Sequence, residues 1–457
     1  MSETSSFRRL SDWSRPILGD GAGFLIGSHG LQLVLRMGSS LIITRLLSPE
    51  AYGVVGIIST VFYILQMMSD MGLRTYIVRH ENPTDDLLRT VWTIKLIRNS
   101  VLFALMFLCA GPIALAFSAP EVETALRVCS FMFLIGGFST LSMHLAARRR
   151  RINLLTSLEI ASFFISIVVT IIAAYVLRTY WAIVIAMFVQ AFFGLYVSFF
   201  IVKGPAVGFR WNREEFRDLW RFWRVIIPSS MISIIITRTD IIFMANYFPI
   251  AELGKFTIAA TITAALGGLA SAYTLRIFFP NFAEANRQAP EKALQAFYGP
   301  RRAITALFAF GIGGIIGGAE LMVRILYNDL YLGAGLYVAI LAVRPLIRLS
   351  TFPAEQAIIA KGFVRCTLTA NIIRLAWLAV AGPAAFFLFS PIAVIIVISL
   401  AEAALIPFYF YMQKKRCIFK LSEEILPLAA ALIGAAIGYG CYRFAEALIA
   451  SGYLPTF

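Results

Sequence analysis

Apolar stretches of about 20 residues, the length that crosses ~30 Å of hydrocarbon, recur along the whole chain with short polar breaks between them. Their cores lie at 23–47, 52–72, 94–117, 126–147, 158–177 and 181–202, and then at 225–248, 253–279, 303–326, 332–354, 368–388, 391–412 and 425–450. In lipid every backbone N–H and C=O needs a partner within the protein, which restricts runs of this length to helices. Composition agrees: 59% of residues are hydrophobic and only 14% charged, against roughly 25% charged in soluble domains. The expectation is an all-α integral membrane protein with thirteen spans.

In a soluble chain the net charge of +15 would point to nucleic acid, but here the basic residues alternate by connection, so no nucleic-acid partner is expected. They gather at Arg8, Arg9 and Arg15, at Arg74, Arg79 and Arg89, at 148–151, and at Arg213, Arg217, Arg221 and Arg224. The series continues with Arg287, Lys292, Arg301 and Arg302, then Lys361 and Arg365, then Lys414, Lys415, Arg416 and Lys420. The intervening connections, near 48–51, 118–123, 249–252, 327–332 and 390–391, carry almost none. By the positive-inside rule the amino terminus is cytoplasmic, and an odd span count puts Phe457 outside. The first apolar run follows a polar tail and contains His29 and Arg36, unlike a cleavable signal.

Chemistry-bearing motifs are sparse. The five cysteines are scattered, and His29, His80 and His144 are solitary. No glycine-rich phosphate loop or metal-ligand spacing appears, so the expectation is a non-enzyme without cofactor or metal.

Polar stripes inside the apolar runs are more informative. In the run 332–354, Tyr337, Arg344, Arg348, Thr351 and, just beyond, Glu355 fall within about 40° of one line on a helix. An arginine at mid-membrane costs roughly 2.5–3.5 kcal/mol on insertion scales, so it faces a protein interior or a watery path. Arg344 and Arg348, four apart, repel unless an anion or Glu355 lies between them. Arg374 shares a face with Thr367 and Asn371. In the first run Ser28, His29, Gln32, Arg36, Ser39 and Ser40 lie within about 80° of the Arg36 direction. Arg36 has two readings: snorkelling or pairing with a carboxylate, and binding phosphate through its forked donors.

The run 225–248 carries Ser229, Ser233, Thr237 and Asp240 on one face, with Arg238 about 100° or more away. Asp240 there either neutralises an interior arginine or exchanges protons with a driving ion. The candidate substrate-binding set is therefore Arg36, Gln32, His29, Arg344, Arg348, Arg374 and Tyr337. Asp240, Glu355 and Arg238 are candidates for ion coupling or charge balance.

Other polar positions read as structural. Lys95, Arg98, Arg276 and Arg324 lie nearer run ends and read as interface anchors. Glu159, Ser162, Ser166 and Thr170 align on one face, where hydroxyls bonding between helices explain most of the set, and Gly311, Gly313, Gly314, Gly317 and Gly318 read as close helix packing. Ser59, Tyr63, Gln66 and Asp70 form a further aligned stripe.

Two segments are alike: Arg45-Leu-Leu-Ser-Pro-Glu-Ala-Tyr-Gly53 and Tyr247-Phe-Pro-Ile-Ala-Glu-Leu-Gly254 both place proline and glutamate before a glycine. Six runs separate them, an even number, so the halves would be parallel repeats. The expected organisation is an N-lobe over 1–202, a cytoplasmic amphipathic linker over 203–224, a C-lobe over 225–413, and a basic loop with a thirteenth helix over 414–457. In the linker Phe216, Leu219, Trp220 and Trp223 share one face and the arginines another, as in a helix lying on the inner leaflet.

The first of these segments, with Ser69-Asp-Met-Gly-Leu73, and then Asp240, Glu252-Leu-Gly254 and Phe256, resemble Wzx-type polysaccharide exporters of the multidrug/oligosaccharidyl-lipid/polysaccharide exporter superfamily. The resemblance covers about the first 280 residues. It implies two pseudo-symmetric six-helix bundles around a central cavity, here followed by one extra C-terminal transmembrane helix. It also implies flipping of undecaprenyl-diphosphate-linked oligosaccharide across the bacterial inner membrane for exopolysaccharide, O-antigen or capsule synthesis, beside a polysaccharide polymerase and a chain-length regulator. Phe256 departs from the family's usual tyrosine, and the thirteenth span from its twelve.

Three rival readings remain. A drug or cation antiporter of the same superfamily would want a carboxylate-rich cavity. A membrane-embedded polymerase or glycosyltransferase would want a sizeable outer polar loop. A purely structural assembly protein would leave the interior arginines without a role.

Overall fold

The computed structural model describes residues 20–69, 77, 84–149, 151–202, 204, 207–363 and 365–451; within these the side chains of 20–29, 33, 37, 152, 218, 222, 225–230 and 233 are not described. Expectations on Arg8, Arg9, Arg15, Asp70 with Met71, Gly72 and Leu73, Arg74, Arg79, His80, Arg150, Phe457 and the side chains of Ser28, His29, Ser229 and Ser233 therefore lie outside the described residues.

The described chain is helical, with no strand. The first helices are α1 (Asp20–Leu46), α2 (Pro49–Met68), α3 (Asp85–Ala116), α4 (Glu121–Phe138), α5 (Ser142–Arg148), α6 (Ile152–Leu177) and α7 (Trp181–Tyr196). They are followed by α8 (Arg213–Tyr247), α9 (Ile250–Tyr273), α10 (Phe279–Gln288), α11 (Ala293–Tyr298), α12 (Arg302–Gly317) and α13 (Ala319–Leu326). The last are α14 (Ala334–Ala360), α15 (Arg365–Leu388), α16 (Pro391–Ser399), α17 (Ile406–Lys415) and α18 (Leu421–Ala450). Among the described residues nine helices are long and apolar enough to cross a membrane, or eleven when two bent pairs, α4 with α5 and α12 with α13, each count as one. The two remaining apolar runs coincide with α1 and the second half of α8.

Helix starts explain the two similar segments. Ser48 is extended with Pro49 at the first helical position and Glu50 in the first turn, while Pro249 is extended ahead of Glu252 in the first turn of α9. Proline has no N–H to lose there, and a carboxylate is favoured at the positive end of the helix.

The chain divides into two units, 1–234 and 235–457. The division falls inside α8, ten residues beyond the expected start of the C-lobe. The linker helix explains this. Its Leu219 and Trp223 are buried against Ile77, Leu87, Val91 and Trp92, with Phe216 packed alongside. Part of the apolar face thus docks on the first unit through Leu219 and Trp223, while Trp220 and the four arginines stay exposed.

Within each unit the basic connections meet at one end. In the first unit Arg148 donates to the Ile77 carbonyl and Arg210 pairs with Asp86 at 2.8 Å. The acidic connections meet at the other, where the Tyr180 hydroxyl reaches the Glu121 carbonyl. In the second unit Arg301 pairs with Glu424 at 2.9 Å and Lys361 donates to the Arg416 carbonyl, whereas Tyr337 meets Glu252 at the opposite end. The alternation of charge along the sequence is therefore also a separation in space.

The last helix belongs to the second unit's core. Gly313 and Gly317 of α12 lie so close to α18 that an added Cβ would strike the Ala431 and Ala435 carbonyl oxygens. This is small-residue packing that lets two backbones touch; it holds at Gly313 and Gly317, whereas an added Cβ at Gly311 would meet nothing within 4 Å.

Candidate functional site

α14 runs for 27 residues, or about 40 Å, and Arg344 and Arg348 sit near its middle. Pro345 and Pro353 lie inside it, each removing one backbone donor where the arginines project. Arg348 lies with its guanidinium 4.6 Å from the centre of the Phe352 ring and 3.9 Å from Glu402. Arg374, on α15, is held harder: it donates to Glu402 at 3.0 Å and to Asn371 at 2.8 Å. The Nε atoms of both arginines are buried without a hydrogen-bond partner among the described residues.

Glu402 is the residue that sequence reasoning missed. It is buried on a short 3-10 segment, Leu400–Leu405, between α16 and α17. Two guanidinium groups draw on this one carboxylate. Its signal was present in the sequence as a single acid within an otherwise apolar run.

The neighbouring carboxylates complete the arrangement. Glu355 is buried two turns beyond Arg348 on the same helix, within electrostatic reach of Arg348, Arg374 and Tyr409. Asp240 accepts the Ile241 N–H at 2.8 Å and lies in the field of Arg344 and, more weakly, of Arg238. Arg344, Arg348 and Arg374 therefore lie among Glu402, Glu355 and Asp240, with Arg238 acting on Asp240 as well, so the cluster carries carboxylates beside its cations rather than being simply cationic. Tyr337 stands apart from them, its hydroxyl donating to Glu252 at 2.9 Å while Lys255 pairs with the same carboxylate.

In the first unit Gln32 lines a cavity of about 310 Å³ with Glu159, Ser162, Phe163 and Gln190. Arg36, one turn further along α1, is exposed and lies 5.6 Å from the centre of the Phe163 ring. Glu159 and Ser162 thus face a cavity, and Thr170 donates to the Ser166 carbonyl of its own helix. Lys95 corrects another expectation. It is 8% exposed, ten residues into α3, and lines a second cavity of about 630 Å³, so it is buried within the protein rather than reaching outward as an anchor.

Comparison with known proteins places this architecture. The family model described as "Polysaccharide biosynthesis protein" matches residues 42–336. The chain is 22% identical over 317 residues to the succinoglycan biosynthesis transport protein ExoT of Rhizobium meliloti, covering 69% of this chain and 63% of that one. It is 21% identical over 299 residues to the teichuronic acid biosynthesis protein TuaB of Bacillus subtilis, covering 65% and 62%. The match thus spans somewhat less than two thirds of the length of these relatives.

Among solved structures, the inward closed conformation of the lipid II flippase MurJ matches with a TM-score of 0.63 at 12% identity, over 92% of this chain and 99% of that one. The inward-facing conformation of a multidrug resistance MATE transporter of the MOP superfamily also reaches 0.63, at 17% identity over 84% and 94%. These likenesses show a shared fold. On the extent of the family match, the chain belongs to the polysaccharide biosynthesis protein family, a multi-pass membrane protein on the fold of the MOP superfamily.

Proposed function

We propose that this protein is a flippase that carries an undecaprenyl-diphosphate-linked oligosaccharide from the cytoplasmic to the outer leaflet of a bacterial inner membrane by alternating access. The observation that supports it most is the sharing of Glu402 by Arg348 and Arg374, each with a buried Nε lacking a partner. Such a cluster can exchange a carboxylate for a diphosphate, because guanidinium presents forked donors that suit phosphate oxygens. Within the first unit Arg36, Gln32 and His29 on α1 are a further candidate substrate-binding set, and within the second unit Asp240, Glu355 and Arg238 balance charge as the anion enters and leaves.

Energetics favour the outward direction. With an inside-negative potential, moving two negative charges outward gains about 4.6 kcal/mol per 100 mV. The amino terminus lies in the cytoplasm in this reading, and the polymerase and chain-length regulator act on the delivered units. The rival drug or cation antiporter gains some support from Glu355 and Glu402, but the family match is to polysaccharide synthesis.

The test is polymer export in cells carrying Arg344→Ala or Arg348→Ala at wild-type protein abundance. Both variants should lose export; full export by both refutes the assignment.

A further inference from the structure

In the first unit, polar side chains converge where the helices themselves are interrupted. α4 and α5 meet at 56° across the residues 139–141. Opposite the break, α7 passes into a π-helical turn, Val197–Ile201. The two irregularities satisfy each other. Ser198 Oγ accepts the Thr140 N–H at 3.1 Å, and the Ser198 carbonyl accepts the Thr140 hydroxyl at 2.7 Å and the Ser142 hydroxyl at 3.0 Å.

The Ser139 carbonyl, released from the helical pattern by the break, is taken by Lys95. Its Nζ donates to that oxygen at 2.7 Å and to Ser139 Oγ at 2.6 Å. Among the described residues no carboxylate pairs with this buried ammonium, and the charge that acts on it is another cation, Arg98, one turn along α3. Arg98 in turn donates to the Ser69 carbonyl at 3.3 Å.

Burying an ammonium against neutral oxygens alone carries a heavy desolvation penalty. A staple for one freed carbonyl needs no charge at all, since a hydroxyl or an amide donates as well. An ammonium has three donors, and Ser139 uses two of them. The cavity that Lys95 and Arg98 line, about 630 Å³, falls within the ~300–1,000 Å³ of ligand pockets. Gln66, Asn99, His144 and Gln190 line it too, and no Asp or Glu is among its described lining residues. Carboxamides suit sugar hydroxyls, while the two cations suit an oxyanion. Non-helical backbone at membrane depth is tolerated where it lines a cavity, and π-helical turns gather at functional sites.

We propose that the first unit holds an oxyanion subsite of its own, in which Lys95, anchored on the broken turn at Ser139, and Arg98 take a phosphate or a sugar carboxylate of the cargo. This rests on the reading of the cargo as a lipid-linked saccharide, and it adds a contact separate from the arginines of α14 and α15. Two donors of Lys95 fix the ammonium, and the third meets the ligand.

The test is equilibrium binding to the full chain in lipid nanodiscs, with farnesyl diphosphate, a phosphate-free galacturonate oligosaccharide and a neutral oligosaccharide of equal length as probes. Loss of a charge-assisted hydrogen bond should weaken the bound anion by about tenfold or more in Lys95→Met, with Lys95→Arg close to wild type and the neutral probe unmoved. Weakening of farnesyl diphosphate assigns the phosphate, and weakening of galacturonate the sugar carboxylate. Arg98→Gln, which leaves the Lys95–Ser139 contacts in place, should weaken the same probe. Unchanged affinity for both anions in either well-folded variant overturns the proposal, as does an equal loss for all three probes.

Transport in proteoliposomes separates this result from the broader reading. Wild-type protein that binds galacturonate through Lys95 yet moves no lipid-linked saccharide sinks the flippase and leaves the subsite standing. Transport that survives Lys95→Met with unchanged anion affinity sinks the subsite alone.

Discussion

Glu402→Gln is the perturbation whose size can be worked from distances. With an effective dielectric of about 20, one unit pair is worth about 5.5 kcal/mol at the 3.0 Å of Arg374 and about 4.3 kcal/mol at the 3.9 Å of Arg348. Desolvation offsets most of that, and removing one partner of a buried pair typically leaves a net loss of about 3–5 kcal/mol. Glutamine keeps one acceptor oxygen, Arg374 keeps Asn371, and Arg348 is 38% exposed and stacked on Phe352. The loss should therefore sit near the lower bound, about 3 kcal/mol.

At roughly 2–4 °C per kcal/mol for a unit of this size, the melting point should fall by roughly 6–12 °C. Thermal unfolding of the purified protein in detergent, followed by intrinsic fluorescence, measures this. Added inorganic diphosphate should restore part of the loss in Glu402→Gln and do less for wild type, since it supplies the missing negative charge. A variant that melts within about 2 °C of wild type and ignores diphosphate would show that Glu402 does not hold these guanidinium groups.

Gly317→Val should cost about 1–3 kcal/mol through overpacking against α18, read as a lower melting point, whereas Gly311→Val, whose added Cβ meets nothing within 4 Å, should change it little. In a variant without native cysteines, Asn328→Cys should react with an impermeant reagent applied outside intact cells, and Arg149→Cys only after permeabilisation; the reverse pattern would invert the topology.

The helices were legible because the hydrocarbon sets their length, and each expected run is helical over most of its described residues, although the breaks at 139–141 and Gly318 were not foreseen. The stripe on α14 was legible too, since 3.6-residue periodicity brings Arg344, Arg348 and Glu355 together within one element. Glu402 was not. Its partner Arg374 is 28 residues away on another helix, and periodicity says nothing about contacts between elements. Lys95 was misplaced because its apolar run begins at Ile94, although α3 begins at Asp85, which moves Lys95 from an end to an interior turn. The linker shows a third limit: Leu219 and Trp223 present the same apolar face whether it meets lipid or protein, and only the packing against Leu87 and Trp92 decides.

Contact between α12 and α18 has a mechanical consequence. Where side chains interdigitate, two helices can slide by changing rotamers; where backbone lies on backbone, as at Gly313 and Gly317, there is nothing to rearrange. The pair must travel as a single strut. Any cycle of the second unit then has to find its joints elsewhere, and the nearest is the 73° corner at Gly318, between α12 and α13.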